Sequence, residues 1–183
     1  MPGLETLAER NLDGYGAPMI AWSRVRDVLA NQLTQAPDTG GPNRHTAWLS
    51  TANADGSPHV RPLGVVSVAE TWYFTSGPGT RKSRNLGRDP RCVLSVATHP
   101  FDLVIEARAE RVTDAAELQT VADAFAAEGW PARVEGDALT ADFSAPSAGP
   151  PPWHAYKIVP VTVYAFGTAE PYGAARFDLA TTA

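Results

Sequence analysis

Hydrophobic spacing changes period along this chain. In WSRVRDVLANQLTQ (22–35), Trp22, Val25, Val28, Leu29 and Leu33 recur on one helical face, and APDTGGPN (36–43) ends that helix as a loop. From residue 46 the spacing becomes that of strands. TAWLSTAN (46–53) and PHVRPLGVVSV (58–68) flank ADGS (54–57), whose Asp-Gly pair favours a tight hairpin turn because both central residues can take positive φ. TWYFTS (71–76) is a third, aromatic-rich strand. TRKSRNLGRD (80–89) reads as a short helix with Thr80 as N-cap and a stop at Asp89-Pro90.

RCVLSVATH (91–99) and DLVIEARAERV (102–112) are the fourth and fifth strands. In the fifth, Leu103, Ile105, Ala107 and Ala109 alternate with Val104, Glu106, Arg108 and Glu110, which predicts one wet face. Asp114 then caps a helix over AAELQTVADAFAAEG, with Glu117 at the capping-box position and Gly129 as the stop. AYKIVPVTVYAFGT (155–168) is a long final strand in which Pro160 marks an edge or a bulge. Five or six closely spaced strands with one late helix predict an antiparallel sheet closed into a small barrel. Residues 1–14 read as a loose N-terminal arm. The Pro-rich stretch 131–152 reads as a linker or crossing loop, or as the wall of a site, since Trp153 and His154 follow it.

Composition narrows the function classes. At 183 residues the chain fits one domain, 1–183, with a sizeable core. A formal charge of -5 argues against general nucleic-acid binding. No apolar run is long enough to span a membrane, and the N-terminus lacks a signal-peptide core, so the expected location is cytoplasmic. The single cysteine, Cys92, allows no internal disulfide and reads as a core thiol.

The chemistry-bearing residues are few. Residues 81–91 hold Arg81, Lys82, Arg84, Arg88 and Arg91 against one acid, Asp89, at a helix start where free N–H groups also favour anions. Lys82-Ser83 is preceded by Arg81, not glycine, which excludes the phosphate loop of nucleotide hydrolases. The histidines 45, 59, 99 and 154 form no metal-ligand spacing, and no serine-hydrolase elbow or carboxylate pair is present.

Three segments in order, TAWLSTANADGSPHVRPLGVV (46–66), WYFTSGPGTRKSRNLGRDPRCVLSV (72–96) and DLVIEARAERVTD (102–114), with VYAFGTAEPYGAARFDL (163–179) at the end, are similar to a known pattern. The chain resembles the split-barrel flavin proteins of the pyridoxamine-phosphate-oxidase-like superfamily, closest to the actinobacterial flavin/deazaflavin oxidoreductases. The resemblance implies a mainly β (α+β) fold, an antiparallel split β-barrel with a few peripheral helices. It implies a homodimer with FMN or the deazaflavin coenzyme F-420 at the subunit interface. Val60, Arg61, Pro62 and Leu63 would lie along the ring, with Thr75 and Ser76 at the ribityl chain. Arg81 and Lys82 would take the phosphate, with Asn85 assisting, and Trp153 and Arg176 would approach from the second subunit.

The block RKSRNLGRDPR looks more like the deazaflavin branch, where Arg84, Arg88 and Arg91 could meet the cofactor's oligoglutamate tail. The residues that clamp the substrate phosphate in pyridoxamine-phosphate oxidase proper have no counterpart here. The implied activity is therefore hydride transfer between the cofactor and a small conjugated substrate, with His59, His99 or His154 as candidate proton donors. The rival class is a non-catalytic protein that binds or stores a flavin- or haem-type ring.

Overall fold

The computed structural model describes residues 4–30, 46–145 and 147–180. Leu33, His45 and the expected loop 36–43 lie outside them. Eleven strands are present among the described residues: β1 (Thr6–Asn11), β2 (Thr46–Ala52), β3 (Pro58–Gly64), β4 (Val66–Val68), β5 (Thr71–Ser76), β6 (Arg91–Ala97), β7 (Phe101–Arg111), β8 (Arg133–Glu135), β9 (Ala138–Thr140), β10 (His154–Gly167) and β11 (Ala174–Leu179). Three helices accompany them: α1 (Trp22–Ala30), α2 (Arg81–Arg88) and α3 (Ala115–Ala127). The main sheet runs β1-β11-β10-β7-β6-β2-β3, with β5 also on β10 and β4 on β5; β8 and β9 pair separately. Every pairing is antiparallel and the sheet does not close on itself, so the fold is a split, β-dominated barrel.

β10 organises this sheet. Along one edge it pairs with β7, from Tyr156↔Arg111 to Gly167↔Phe101. Its other edge meets β5 over His154–Ile158 and then β11 over Thr162–Phe166. The register shifts between Pro160 and Thr162, at the changeover. Pro160 has no N–H to donate, so a bulge there costs no ladder bond.

The predicted alternation in β7 holds. Leu103, Ile105, Ala107 and Ala109 are buried, while Glu106, Arg108 and Glu110 are exposed. With Leu49, Trp72, Phe74, Leu94 and Phe177 the inward residues form the main core. Cys92 is buried in it, and burial alone pushes its thiol up to about 12. α1 covers one end with Val25 and Leu29, and the Trp72 indole N–H donates to the Leu29 carbonyl at 3.0 Å. A second apolar cluster packs α3 (Leu118, Val121, Phe125) on Tyr73, Val66 and Leu139. β5 therefore has both faces buried, which explains its unbroken apolar run.

Several expectations need correction. The arm at 1–14 carries β1, an exposed strand held by main-chain pairing to β11. The expected second strand, 58–68, is two, because β3 stays with β2 while β4 turns back onto β5. The β4–β5 hairpin uses Ala69 and Glu70, both at positive φ (49° and 66°). The Arg26 guanidinium fixes the Glu70 carboxylate at 2.9 Å, which helps hold that unusual turn. In the β2–β3 turn only Gly56 takes positive φ, and Asp55 instead accepts the Ser57 N–H at 3.0 Å. Asp114 caps α3 by accepting the Glu117 N–H at 2.9 Å, but the Glu117 carboxylate accepts from the Tyr73 hydroxyl. The stretch 131–152 contains the β8–β9 hairpin and is not a plain crossing loop.

Candidate functional site

The site forms where β5 passes into α2. The chain leaves Ser76, turns through 77–79 and enters α2 with Thr80 in extended conformation, its hydroxyl accepting the Ser83 N–H at 3.3 Å. The hydroxyls of Ser76, Thr80 and Ser83 bond one another at 2.8–3.2 Å, fixing strand end to helix start. Gly77 is needed here. A Cβ at that position would sit 2.7 Å from the Ala148 carbonyl oxygen, a backbone atom that cannot move alone.

Beside this turn is a cavity of about 540 Å³. Pro62, Leu63, Val66, Thr75, Ser76 and Lys82 line its barrel side. Phe125, Trp130, Phe143 and the backbone around Ala148 line the other. Lys82 is half-buried, and among the described residues no hydrogen bond or ion pair engages its ammonium group. Burial, and then the positive charge of Arg61, hold its pKa below the ordinary lysine value. His59, buried on β3, is likewise held below the usual histidine range, first by burial and then by Arg61, Arg81 and Lys82. Three cations from β3 and α2 thus act on one region, and the one carboxylate of the cavity lining, Glu128, stands on its far wall. Such a region favours an anion.

The opposite flank of α2 differs. Asn85 is buried and donates its amide hydrogens to Thr51 Oγ1 at 3.1 Å and Asn53 Oδ1 at 3.2 Å, tying the helix to β2. Arg84 donates to the Gly79 carbonyl at 2.7 Å, and Arg88 donates to the Ala52 carbonyl. Arg81, Arg84, Asn85 and Arg88 line a second cavity of about 430 Å³, with Asn53 and the Asp55 carboxylate on its other side. Arg91 is not among them, since its guanidinium pairs with Asp89 at 2.7 Å.

Residues 33–166, well over half of the chain, match the family model for pyridoxamine 5'-phosphate oxidase. The chain belongs to that family. No curated protein matches it. Among solved structures, the conserved hypothetical protein Rv2991 of Mycobacterium tuberculosis is similar at 14% identity, covering 85% of this chain and 89% of that one, with a TM-score of 0.57. A pyridoxamine 5'-phosphate oxidase-related, FMN-binding protein from Nostoc punctiforme gives 15% identity, coverage of 86% and 90%, and a TM-score of 0.54. A heme-binding protein from Mycobacterium smegmatis gives 16% identity, coverage of 76% and 53%, and a TM-score of 0.53. At these identities the likeness is one of fold.

In this family member, five expected site residues share the first cavity: Pro62, Leu63, Thr75, Ser76 and Lys82. Arg81 and Asn85 line the second. Val60 and Arg61 lie exposed on β3 and line neither. Trp153 is 3% exposed and packs behind the first cavity, its ring 5.5 Å from that of Trp130. Arg176 sits on β11, paired with Asp178 at 2.9 Å and placed over Tyr164, away from both cavities. Of the histidines, His59 lies near the cations. His154 begins β10, held below the usual range by burial and then by Arg111, and His99 is exposed. Phe125, Trp130 and Phe143 were not expected at the site. Their signal in the sequence is two aromatics, Trp130 and Phe143, bracketing a stretch otherwise dominated by small, polar and charged residues.

Among the described residues no cluster of His, Cys, Asp or Glu could hold a metal ion, and no helix is long and apolar enough to cross a membrane.

Proposed function

We propose that this chain binds FMN or coenzyme F-420 with its phosphate at the β5–α2 turn, and passes a hydride between that cofactor and a small conjugated substrate. One observation carries the reading: the half-buried ammonium of Lys82 lines a cavity of about 540 Å³ and has no hydrogen-bond or ion-pair partner among the described residues. A desolvated cation with no partner is costly, and a phosphate supplies the missing charge. The residues fit the group. Lys82 gives a point charge, Ser76 and Thr75 give hydroxyls beside it, and the ridge Pro62–Val66 gives an apolar surface long enough for a ring. The bound cofactor carries the hydride, while the protein orients it and keeps water away.

The arginine-lined cavity on the far flank of α2 favours coenzyme F-420 over FMN. Arg84 and Arg88 rest on neutral carbonyls there, so their charges remain available to an oligoglutamate tail. In this reading the protein works as a homodimer, single-domained over 1–183, in the cytoplasm. The outer sheet face supports the dimer: strand register places Trp48, Val60 and Phe166 on one side, each at least 40% exposed. Val60, Arg61 and Arg176 would then complete the site across the two subunits, while Trp153, expected there too, supports the cavity wall of its own subunit instead.

A second reading is binding or storage of a flavin- or haem-type ring without turnover. It is favoured by the cavity lining, which among the described residues includes no histidine or tyrosine to deliver a proton. Titration of the apo-protein with FMN and with coenzyme F-420, followed by absorbance and fluorescence, tests the first reading. Micromolar binding of either cofactor supports it, and binding of neither sinks it. Oxidation of the reduced cofactor by a panel of enones and quinones then separates enzyme from binder.

A further inference from the structure

We infer that Trp130 and Phe143 form the ring-holding half of this cavity, with the exposed face of Phe143 as the surface that meets the ring. The inference rests on the reading that the Lys82 end takes a phosphate.

The wall that carries Phe143 is pinned in three places. The Trp130 indole N–H donates to the Phe143 carbonyl at 2.6 Å. The Trp153 indole N–H donates to the Gly149 carbonyl at 3.2 Å. Between them, the Ala148 carbonyl lies so close to Gly77 that no side chain fits there. Trp130 itself is held edge-on by Phe125, at 5.1 Å and 89°, and by Trp153, at 5.5 Å and 61°. A Pro-rich stretch with no core of its own is thus fixed against the phosphate turn before any ligand arrives. Such preorganisation lowers the ordering cost of binding.

The fixed wall leaves one large apolar side chain uncovered. Phe143 lines the cavity yet is 59% exposed. The cavity is mixed in kind: Thr75, Ser76 and Lys82 are polar on the barrel side, Leu63, Val66, Trp130 and Phe143 give apolar surface, and Glu128 and Ser144 add polar groups to the far wall. A ligand matching both parts is a flat heteroaromatic ring on a phosphate-bearing chain. Aromatic side chains hold such rings by offset or edge contacts.

The test compares wild type with Phe143→Ala, Phe143→Leu and Trp130→Phe. The probes are inorganic phosphate, FMN and coenzyme F-420, and the phosphate-free rings riboflavin and deazariboflavin. Binding is read by fluorescence titration and, for phosphate, by competition. Phe143 is exposed, so its variants should keep the wild-type melting temperature. The expected result for Phe143→Ala is a roughly 10-fold loss for the ring-bearing ligand that the wild type binds, as expected for one aromatic contact. Phosphate affinity should hold, with smaller ring losses for Phe143→Leu and Trp130→Phe. Unchanged ring affinity in Phe143→Ala, with phosphate still bound, overturns the inference and leaves the phosphate reading standing. Equal loss of ring and phosphate also overturns it, because the wall would then act through the fold. If wild type binds no probe, the phosphate reading falls and this inference with it.

Discussion

The two flanks of α2 carry similar residues and put them to different uses. On one, Lys82 lines a cavity and has no partner among the described residues. On the other, Asn85, Arg84 and Arg88 are all occupied, by the side chains of Thr51 on β2 and Asn53 just after it and by two main-chain carbonyls. One helix is both an anion cradle and a structural clamp. Satisfied polar groups hold the helix in place; the unsatisfied one marks where a ligand belongs.

The sharpest way to break this comparison is to remove the charges at the helix start. Arg81→Ala with Lys82→Ala should lower cofactor affinity by on the order of 100-fold or more, since each charge-assisted hydrogen bond contributes about 1.5–3 kcal/mol. The fold should persist, with an unchanged circular dichroism spectrum, because among the described residues neither side chain makes a hydrogen bond or ion pair, and the attraction between Arg81 and Asp55 is an exposed one. Unaltered affinity by titration would refute the assignment. Asn85→Ala should do the reverse. Loss of a buried donor leaves Thr51 and Asn53 short of a partner, costing about 1–3 kcal/mol in chemical denaturation. Affinity measured on the folded fraction should barely move.

Arg84→Ala with Arg88→Ala sharpens the choice of cofactor. Coenzyme F-420 should lose several-fold in affinity, and less in high salt, because exposed charge pairs are weak and screened. FMN should be indifferent. The smallest effect concerns pH. His59 is buried with its pKa below 6.5, so the unfolded chain binds the proton more readily. Stability should therefore fall as pH drops below about 6.5 and be flatter in His59→Gln. A melting curve with the same pH slope in both proteins would remove His59 from the account.

Much of this architecture was legible because its causes are local. The alternation of β7, the Thr80 and Asp114 caps and the Gly129 stop each depend on a few neighbouring residues, and each is found. β1 was not legible: its TLAERN sequence buries almost nothing, and only main-chain bonds to a strand over 160 residues away make it a strand. The Ala69-Glu70 turn was hidden because neither residue type favours the positive φ that this two-residue hairpin takes, and the ion pair from Arg26 that helps hold it comes from far along the chain. At the site, Lys82 announced itself as charge at a helix start. For Asn85, sequence gives no sign that its amide N–H groups bond to Thr51 and Asn53. Trp130 and Phe143 were missed because a Pro-rich stretch has no period to read, and its position depends on the packing of Trp130 and Trp153.

β10 also shapes how the chain must be assembled. Until the residues from His154 onward have left the ribosome, β5 and β7 each present an open edge of unpaired main-chain groups, and the second apolar cluster lacks Ala155. The newborn chain therefore carries most of its sticky strands before it owns the one that seals them. Any shortened product ending ahead of His154 inherits that vulnerability, and should precipitate more readily than the intact polypeptide.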